Sequence, residues 1–98
     1  MRYQIKLTTF ASEIGKQLPP EIKKSAKAAL KELSLDPDLG KELQTELVGF
    51  RSYRFMRYRI VYKVDTEKKE VVVWAIGRRR DIYENLGERL SQSSPEED

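Results

Sequence analysis

The stretch RYRIVYKV at residues 57–64 gives the clearest indication of the fold, because large apolar and polar side chains alternate along it with the period of a β-strand. Residues 53–56 and 69–76 flank it and are equally rich in aromatic and β-branched side chains, and DTEK at residues 65–68 supplies a turn. This pattern predicts three strands in an antiparallel meander. The alternation places two sets of side chains of the middle strand on opposite faces: Tyr58, Ile60, Tyr62 and Val64 on one, and Arg59, Val61 and Lys63 on the other.

The chain before this meander predicts one further strand and two helices. Residues 2–7 (RYQIKL) alternate like a half-buried strand, and Thr8 or Thr9 can cap the helix that follows. That helix ends at the Pro-Pro pair at residues 19–20, whose second proline suits the first turn of a second helix, which ends before Asp36. The apolar positions that repeat with helical spacing are Phe10, Ile14 and Leu18 in the first helix, and Ile22, Ala26, Ala29, Leu30 and Leu33 in the second.

The remaining segments complete a single-domain plan. Residues 36–50 lack a sustained period and contain one proline and two glycines, so they predict a long connecting loop, and a loop of this length suggests a functional role. DIYENL at residues 81–86 predicts a short terminal helix. The predicted order is β-α-α-β-β-β-α, an α+β fold, with one domain over residues 1–90 and an acidic, disordered tail over residues 91–98.

Composition excludes several kinds of chemistry. The chain has neither cysteine nor histidine, which rules out disulfides, cysteine nucleophiles, histidine acid–base catalysis and most zinc sites. Its longest apolar run, residues 71–76, is much shorter than the roughly 20 residues of a membrane-spanning helix. The N-terminus alternates and does not resemble a secretory signal, so we expect a cytoplasmic protein that does not span a membrane.

The positive charge is concentrated in the meander. Residues 51–80 carry ten Lys and Arg against three Asp and Glu, whereas residues 81–98 carry one arginine against six acidic residues. Seven of the ten cations are arginines, whose planar guanidinium suits bidentate phosphate contacts. This favours nucleic acid as a partner, although a solvated sheet edge would carry similar charges.

Three segments in this order resemble the RelE branch of the RelE/ParE toxin superfamily. They are LVGFRSYR at residues 47–54, YRIVYKV at residues 58–64 and AIGRRRDIY at residues 75–83. The resemblance covers residues 1–90. It implies a RelE-like fold: a small twisted antiparallel sheet, two N-terminal helices packed on one of its faces, a short C-terminal helix and a concave basic surface on the other face.

The resemblance also implies a function. RelE-type toxins act within type II toxin–antitoxin pairs and cleave mRNA in the ribosomal A site, by attack of a ribose 2′-hydroxyl on the adjacent phosphate, without a metal or other cofactor. The implied partners are a cognate antitoxin, the ribosome and mRNA, with operator DNA contacted only through the antitoxin. Matching positions assign catalytic roles to Arg59, Arg79 and Tyr83, and Arg54 stands where relatives carry a lysine. Arg54 is expected to contact RNA, together with Arg57 and with Arg78 and Arg80, which flank Arg79.

One departure from the family pattern keeps other functions open. Met56 stands where several relatives carry a lysine proposed as general acid, and Arg57 could supply a cation there if the turn moves it inward. The alternatives are a ParE-like gyrase inhibitor and a catalytically degenerate member that acts only with its antitoxin. The proposed residues also have structural interpretations, in which Arg59 pairs across the sheet with Glu70 or another carboxylate and Tyr83 covers the edge of the core. Tyr53, Tyr58 and Tyr62 are expected to be packing residues.

Overall fold

The structure of the protein is a computed structural model, which describes residues 2–44 and 47–78. Its elements in chain order are β1 (Gln4–Leu7), α1 (Thr9–Gln17), α2 (Pro20–Leu35), a 3-10 helix (Pro37–Leu39), β2 (Lys41–Glu42), β3 (Arg51–Phe55), β4 (Tyr58–Asp65) and β5 (Glu70–Arg78). The predicted terminal helix at residues 81–86 and the tail at residues 91–98 lie outside the described residues. The α+β class is confirmed.

The five strands form one sheet in the order β1-β5-β4-β3-β2. Strands β2 to β5 are antiparallel, as the meander predicts, but β1 runs parallel to β5, with Ile5 opposite Val71 and Leu7 opposite Val73. The predicted antiparallel sheet is therefore confirmed for β2 to β5, and the parallel strand β1 makes the complete sheet mixed. Strand alternation shows which side chains share a face and carries no information about strand direction. Strand β1 can run parallel to β5 because α1 and α2 carry the chain across the sheet before the antiparallel strands begin.

Both helices begin and end where the sequence predicts. The Thr8 side chain caps α1 by accepting a hydrogen bond from the Ala11 amide, with an oxygen–nitrogen distance of 3.2 Å. Pro20 occupies the first turn of α2, where its missing N–H removes nothing from the helix. Among the described helices, none is long and apolar enough to cross a membrane.

The main core lies between the helices and one face of the sheet. Small residues of the helices let the backbones approach the large side chains of β4 and β5 closely. The fully or almost fully buried members of this core include Ala11, Ala26, Ala29, Leu33, Ile60, Tyr62, Val71, Val73 and Ile76.

A β-bulge in β5 changes which of its side chains face the helices. Val61 lies opposite Ala75 and Tyr62 opposite Val73, so Trp74 is an extra residue without a partner in the register. Val73 and Ile76 consequently both pack in the core under the helices, although strict alternation would separate them. Beyond the bulge, Gly77 lies opposite Arg59, on the face away from the helices.

The segment predicted as a loop at residues 36–50 is tied to the sheet. It contains the 3-10 helix and β2, which pairs with β3. The hydroxyl of Tyr62 donates to the Pro37 carbonyl at 2.6 Å and accepts from the Gly40 amide at 2.9 Å. Arg51 donates to the Gly40 carbonyl at 2.7 Å and forms ion pairs with Asp38 and Glu42. These contacts hold residues 37–42 against the end of β3 and β4.

Candidate functional site

The candidate site lies on the face of the sheet away from α1 and α2, which we call the far face. Residues directly opposite one another in neighbouring antiparallel strands share a face, so the register defines this surface. The residues of β3, β4 and β5 that lie on the far face include Ser52, Arg54, Arg59, Val61, Lys63, Trp74, Ala75 and Gly77.

Two arginines stand side by side at one end of the far face. Arg54 lies directly opposite Arg59, and Gly77 continues the same line onto β5 without a side chain that could cover them. We call Arg54 and Arg59 the arginine pair. The Arg59 guanidinium donates to the Ser52 hydroxyl at 3.4 Å, and Arg54 donates to the Met56 carbonyl at 3.3 Å. Both residues are fixed by neutral partners, which leaves their charge available.

No carboxylate within residues 2–44 and 47–78 forms an ion pair with either member of the arginine pair. Glu70 lies opposite Asp65 at the other end of β4, so the structural interpretation in which Arg59 pairs with Glu70 is wrong. Like charges directly opposite each other in a sheet destabilise it. Within the described residues, cross-strand packing therefore gives no electrostatic gain that accounts for the arginine pair.

Arg57 joins the arginine pair from the turn between β3 and β4. Phe55 pairs with Tyr58, so Met56 and Arg57 are the two central residues of a tight hairpin, and the predicted strand boundaries at these two residues are wrong. Arg54, Arg57, Tyr58 and Arg59 line a pocket of about 200 Å³. Three of the four residues that line this pocket are arginines, the side chain best suited to phosphate contacts.

Met56 adopts an unusual backbone conformation beside this pocket. Its φ is +52°, in the left-handed region, and the residue is 57% exposed. Its side chain adds no charge to the pocket. The turn thus places Arg57 among the residues that line the pocket, as expected if the turn moves Arg57 inward. Met56, the position that matches the family lysine, is neutral.

The other predicted site residues are not brought to this pocket by the described part of the chain. Arg78 lies opposite Tyr58 on the helix side of the sheet, with its guanidinium carbon 5.9 Å from the centroid of the Tyr58 ring. Arg79, Arg80 and Tyr83 lie outside the described residues. The structure therefore brings together Arg54, Arg57 and Arg59 out of the seven predicted residues.

Sequence reasoning missed a second feature of the far face. Phe50, Val61 and Ala75 form a small buried cluster there, with Trp74 packed against it. The ammonium of Lys63 lies over this cluster. The alternation of β4 puts Lys63 on the same face as Arg59, and this alternation was the sequence signal from which Lys63 could have been found. The aromatic neighbours could not be found from the sequence, because they come from a loop and a bulged position.

The three tyrosines predicted to be packing residues are confirmed as such. Tyr62 is fully buried, and Tyr53 and Tyr58 pack against the main core. Burial raises the pKa of the Tyr62 hydroxyl. Burial also raises the pKa of Tyr53, and its hydrogen bond to Glu32 at 3.1 Å adds to the effect. These hydroxyls are held protonated and are poor proton acceptors. Within the described residues no cluster of acidic side chains could hold a metal ion.

Comparison with known proteins agrees with this architecture. The model of the ParE toxin family of type II toxin–antitoxin systems matches residues 6–83. Toxin RelG of Mycobacterium tuberculosis is 38% identical over 85 residues, which cover 85% of this chain and 98% of RelG.

Solved structures of toxins share the fold. A chain of the toxin–antitoxin complex RelBE2 from Mycobacterium tuberculosis is 34% identical, with a TM-score of 0.75 over 81% of this chain and 100% of that one. The isolated RelE toxin of Escherichia coli has a TM-score of 0.68 over 90% of this chain and 98% of its own, and at 22% identity it shows likeness of fold alone. The family model and the RelG similarity both span most of the chain. The chain therefore belongs to the RelE/ParE superfamily and is a toxin of the type II toxin–antitoxin class.

Proposed function

We propose that this toxin is a ribosome-dependent endoribonuclease that cleaves mRNA without a metal. The observation that carries the proposal is the arginine pair, two adjacent cations on the far face without an acidic partner among the described residues, with Arg57 beside them. The similarity to RelG and to a RelBE2 chain supports the same function class. The proposed place of action is the cytoplasm, where mRNA is translated.

The proposed reaction is an internal transfer at phosphorus. The ribose 2′-oxygen forms a bond to the adjacent phosphorus, the bond from phosphorus to the 5′-oxygen breaks, and the products are a 2′,3′-cyclic phosphate and a 5′-hydroxyl. A base must take the 2′ proton, an acid must protonate the leaving oxygen, and cations must stabilise the growing negative charge on the phosphate. Arg59 is proposed for the last role together with Arg79.

The assignment of Arg79 rests on its match to the family arginine that follows the Gly-basic pair, and an extended chain after β5 would agree with it. The bulge puts Gly77 on the far face opposite Arg59, and in an extended strand the residue two positions later shares that face. Arg79 in this position would add a further cation to the arginine pair. Arg78, at the margin of the sheet, and Arg80 are proposed to contact RNA outside the reacting phosphate. Arg54 is proposed to contact RNA at the edge of that phosphate.

Tyr83 is proposed to stack on a base and to help transfer the 2′ proton. An unperturbed tyrosine has a pKa of about 10, so it can act as a base near neutral pH only if neighbouring arginines lower that pKa. The concentration of arginine next to this position in the sequence fits this requirement.

The proposed partners other than mRNA are the ribosome and a cognate antitoxin. Similar toxins occur in solved toxin–antitoxin complexes from Mycobacterium tuberculosis and Escherichia coli. An antitoxin segment that contributes carboxylates would satisfy the arginine pair and block phosphate binding. Contact with operator DNA is proposed to occur only through the antitoxin.

Primer extension on a reporter mRNA tests the proposal after brief induction of the toxin in a bacterial host. The wild-type chain is expected to produce new 5′ ends within translated codons, and Arg59→Ala, Arg79→Ala and Tyr83→Phe are each expected to remove them. Lys24→Ala, on the exposed side of α2, is a charge-matched control that should cut normally. Normal cutting by Arg59→Ala would contradict the assigned site.

A ParE-like gyrase inhibitor is the second candidate, favoured by the ParE toxin family match and by Met56 in place of a lysine. It predicts growth arrest without new RNA ends, together with inhibition of DNA supercoiling by purified gyrase. A catalytically degenerate member predicts neither growth arrest nor RNA ends. The same induction experiment therefore separates the three functions.

A further inference from the structure

Lys63 is an exposed lysine whose ammonium is held in one place. Its nitrogen lies 4.5 Å from the centroid of the Phe50 ring and 6.0 Å from that of Trp74. The two rings meet edge to face, with centroids 5.7 Å apart and an interplanar angle of 87°. A Cβ placed on Gly49 would lie 3.9 Å from the Lys63 Cε, so the stem of the lysine rests beside the turn.

This arrangement is unusual for a surface lysine. A lysine side chain loses up to about 2 kcal/mol of rotational freedom when it is fixed, and a solvated one pays that cost when it binds an anion. The positions of the Phe50 and Trp74 rings restrict the Lys63 ammonium before any ligand arrives. Its charge is positioned, and no acidic side chain in the described parts of the chain forms an ion pair with it.

Lys63 and the arginine pair lie on one face of β4. Arg59 and Lys63 are four residues apart, so alternation directs both toward the far face, and a strand rise of about 3.3 Å per residue separates their Cα atoms by about 13 Å. Val61, fully buried, lies between them. The far face therefore carries two separate cationic positions along one line.

We propose that Lys63 is a second phosphate-binding position for single-stranded RNA, and that the strand runs along β4 from the arginine pair to Lys63. The Phe50–Trp74 pair positions the ammonium, and Phe50, which is 4% exposed, offers no open ring face on which a base could stack. The inference rests on the proposed function, because it extends the same RNA-binding surface. It assigns to Lys63 a role that requires RNA longer than the reacting dinucleotide.

The test measures binding of the full-length toxin to fluorescent, fully 2′-O-methylated oligonucleotides, which lack the attacking hydroxyl and cannot be cleaved. A dinucleotide and an octanucleotide are compared from about 50 to about 200 mM salt, because each phosphate contact on a single strand adds about 0.7 to the slope of log K against log salt. The variants are Lys63→Met, which keeps an apolar stem over the rings, and Lys63→Arg, which keeps the charge. Lys24→Met is the control for loss of one lysine charge.

Lys63→Met is expected to lower the octanucleotide slope by about 0.7 and to leave dinucleotide binding unchanged, whereas Lys63→Arg and Lys24→Met should keep the wild-type slope. Lys63→Gln is used if thermal unfolding shows that Lys63→Met is not folded. A slope for Lys63→Met equal to that of Lys24→Met would overturn the inference, as would a wild-type chain that binds no oligonucleotide.

The variant Arg59→Met distinguishes this failure from failure of the proposed function. Arg59→Met should weaken binding of both oligonucleotides and abolish cleavage on ribosomes. If it does so while Lys63→Met has no effect, the second phosphate position is wrong and the proposed function stands. If Arg59→Met cleaves mRNA normally, the assignment of Arg59 to the site fails, and if the wild-type toxin itself produces no new RNA ends, the proposed function fails on its own test.

Discussion

Tyr62 links the centre of the sheet to the segment that precedes β2. Its ring is fully buried in the main core, and its hydroxyl satisfies both the Pro37 carbonyl and the Gly40 amide. We expect Tyr62→Phe to lower the free energy of unfolding by about 1–3 kcal/mol, because both backbone groups lose their partner. Tyr53→Phe, which removes only an exposed hydrogen bond to Glu32, should cost less. Urea unfolding at neutral pH measures the difference, and equal losses would contradict this role of the hydroxyl.

The same hydroxyl makes stability depend on pH in the alkaline range. Burial raises the pKa of Tyr62 in the folded chain above its unfolded value, so the unfolded chain releases this proton first as pH rises. The contribution is fully present below about pH 10 and is lost as pH increases through the folded pKa. The stability of Tyr62→Phe should therefore fall less steeply than that of the wild type above about pH 10.

Gly40 is constrained by contact and not by backbone angle. Its φ is −77°, which any residue can adopt, but a Cβ would lie 2.5 Å from the Tyr62 hydroxyl oxygen and 3.0 Å from the Ser52 carbonyl oxygen. Gly40→Ala is expected to lower the free energy of unfolding by about 1–3 kcal/mol. Gly15→Ala is the matched control, since its Cβ would meet nothing within 4 Å, and in α1 it should stabilise by about 0.5–1 kcal/mol. Thermal unfolding of both variants checks the opposite signs, and two shifts of the same sign would contradict the argument.

The β3–β4 hairpin stores backbone strain next to the candidate site. Met56 has a left-handed φ that costs a residue with a side chain roughly 1–2 kcal/mol, and glycine avoids this cost. Met56→Gly should raise the free energy of unfolding by about 1 kcal/mol and leave mRNA cleavage intact, because Arg57 supplies the turn's cation. Chemical unfolding and the primer-extension assay measure the two effects. Thr66→Gly, at a turn residue whose own φ is not positive, should gain no stability, and loss of cleavage in Met56→Gly would show that the Met56 side chain matters.

The elements of this fold could be predicted to the extent that they repeat. The two helices and the strands β4 and β5 have strong periods, and their predicted bounds agree with the structure within about two residues. The two-residue strand β2 is too short to show a period. The parallel pairing of β1 and the bulge at Trp74 depend on tertiary packing, which leaves no local signal in the sequence.

The candidate site was predictable for a related reason. Alternation along β4 separates Arg59 from the core-facing Ile60, and the structure confirms this separation. It could not show that Arg54 lies directly opposite Arg59, because cross-strand register depends on where the hairpin turns. It also could not show that the bulge turns Arg78 toward the helix side. The shape of the proposed phosphate-binding surface is therefore a consequence of cross-strand register, which the pattern of a single strand does not contain.

At the scale of the whole molecule, basic and acidic residues are concentrated in different segments of the chain. The acidic segment can therefore compete with an anionic ligand for the basic segment. Residues 51–80 carry a net charge of +7, while residues 91–98 contain three acidic residues and no basic one. Deleting residues 91–98 thus raises the formal net charge from +3 to +6. A short acidic segment attached to a basic domain lowers the affinity of that domain for anions, by an amount that falls as salt screens the charges.

We expect the chain without residues 91–98 to bind the 2′-O-methylated octanucleotide several-fold more tightly than the full chain at low salt, and equally well near 1 M salt, where the screening length is about 3 Å. Replacing Glu96, Glu97 and Asp98 by their amides, which keeps the length of the chain, should have the same effect as deletion, because the argument depends on charge and not on contact area. An affinity that deletion leaves unchanged at low salt would show that these acids do not reach the arginine pair or Lys63. A gain that persists at high salt would point to steric blocking, and the electrostatic account would then be wrong.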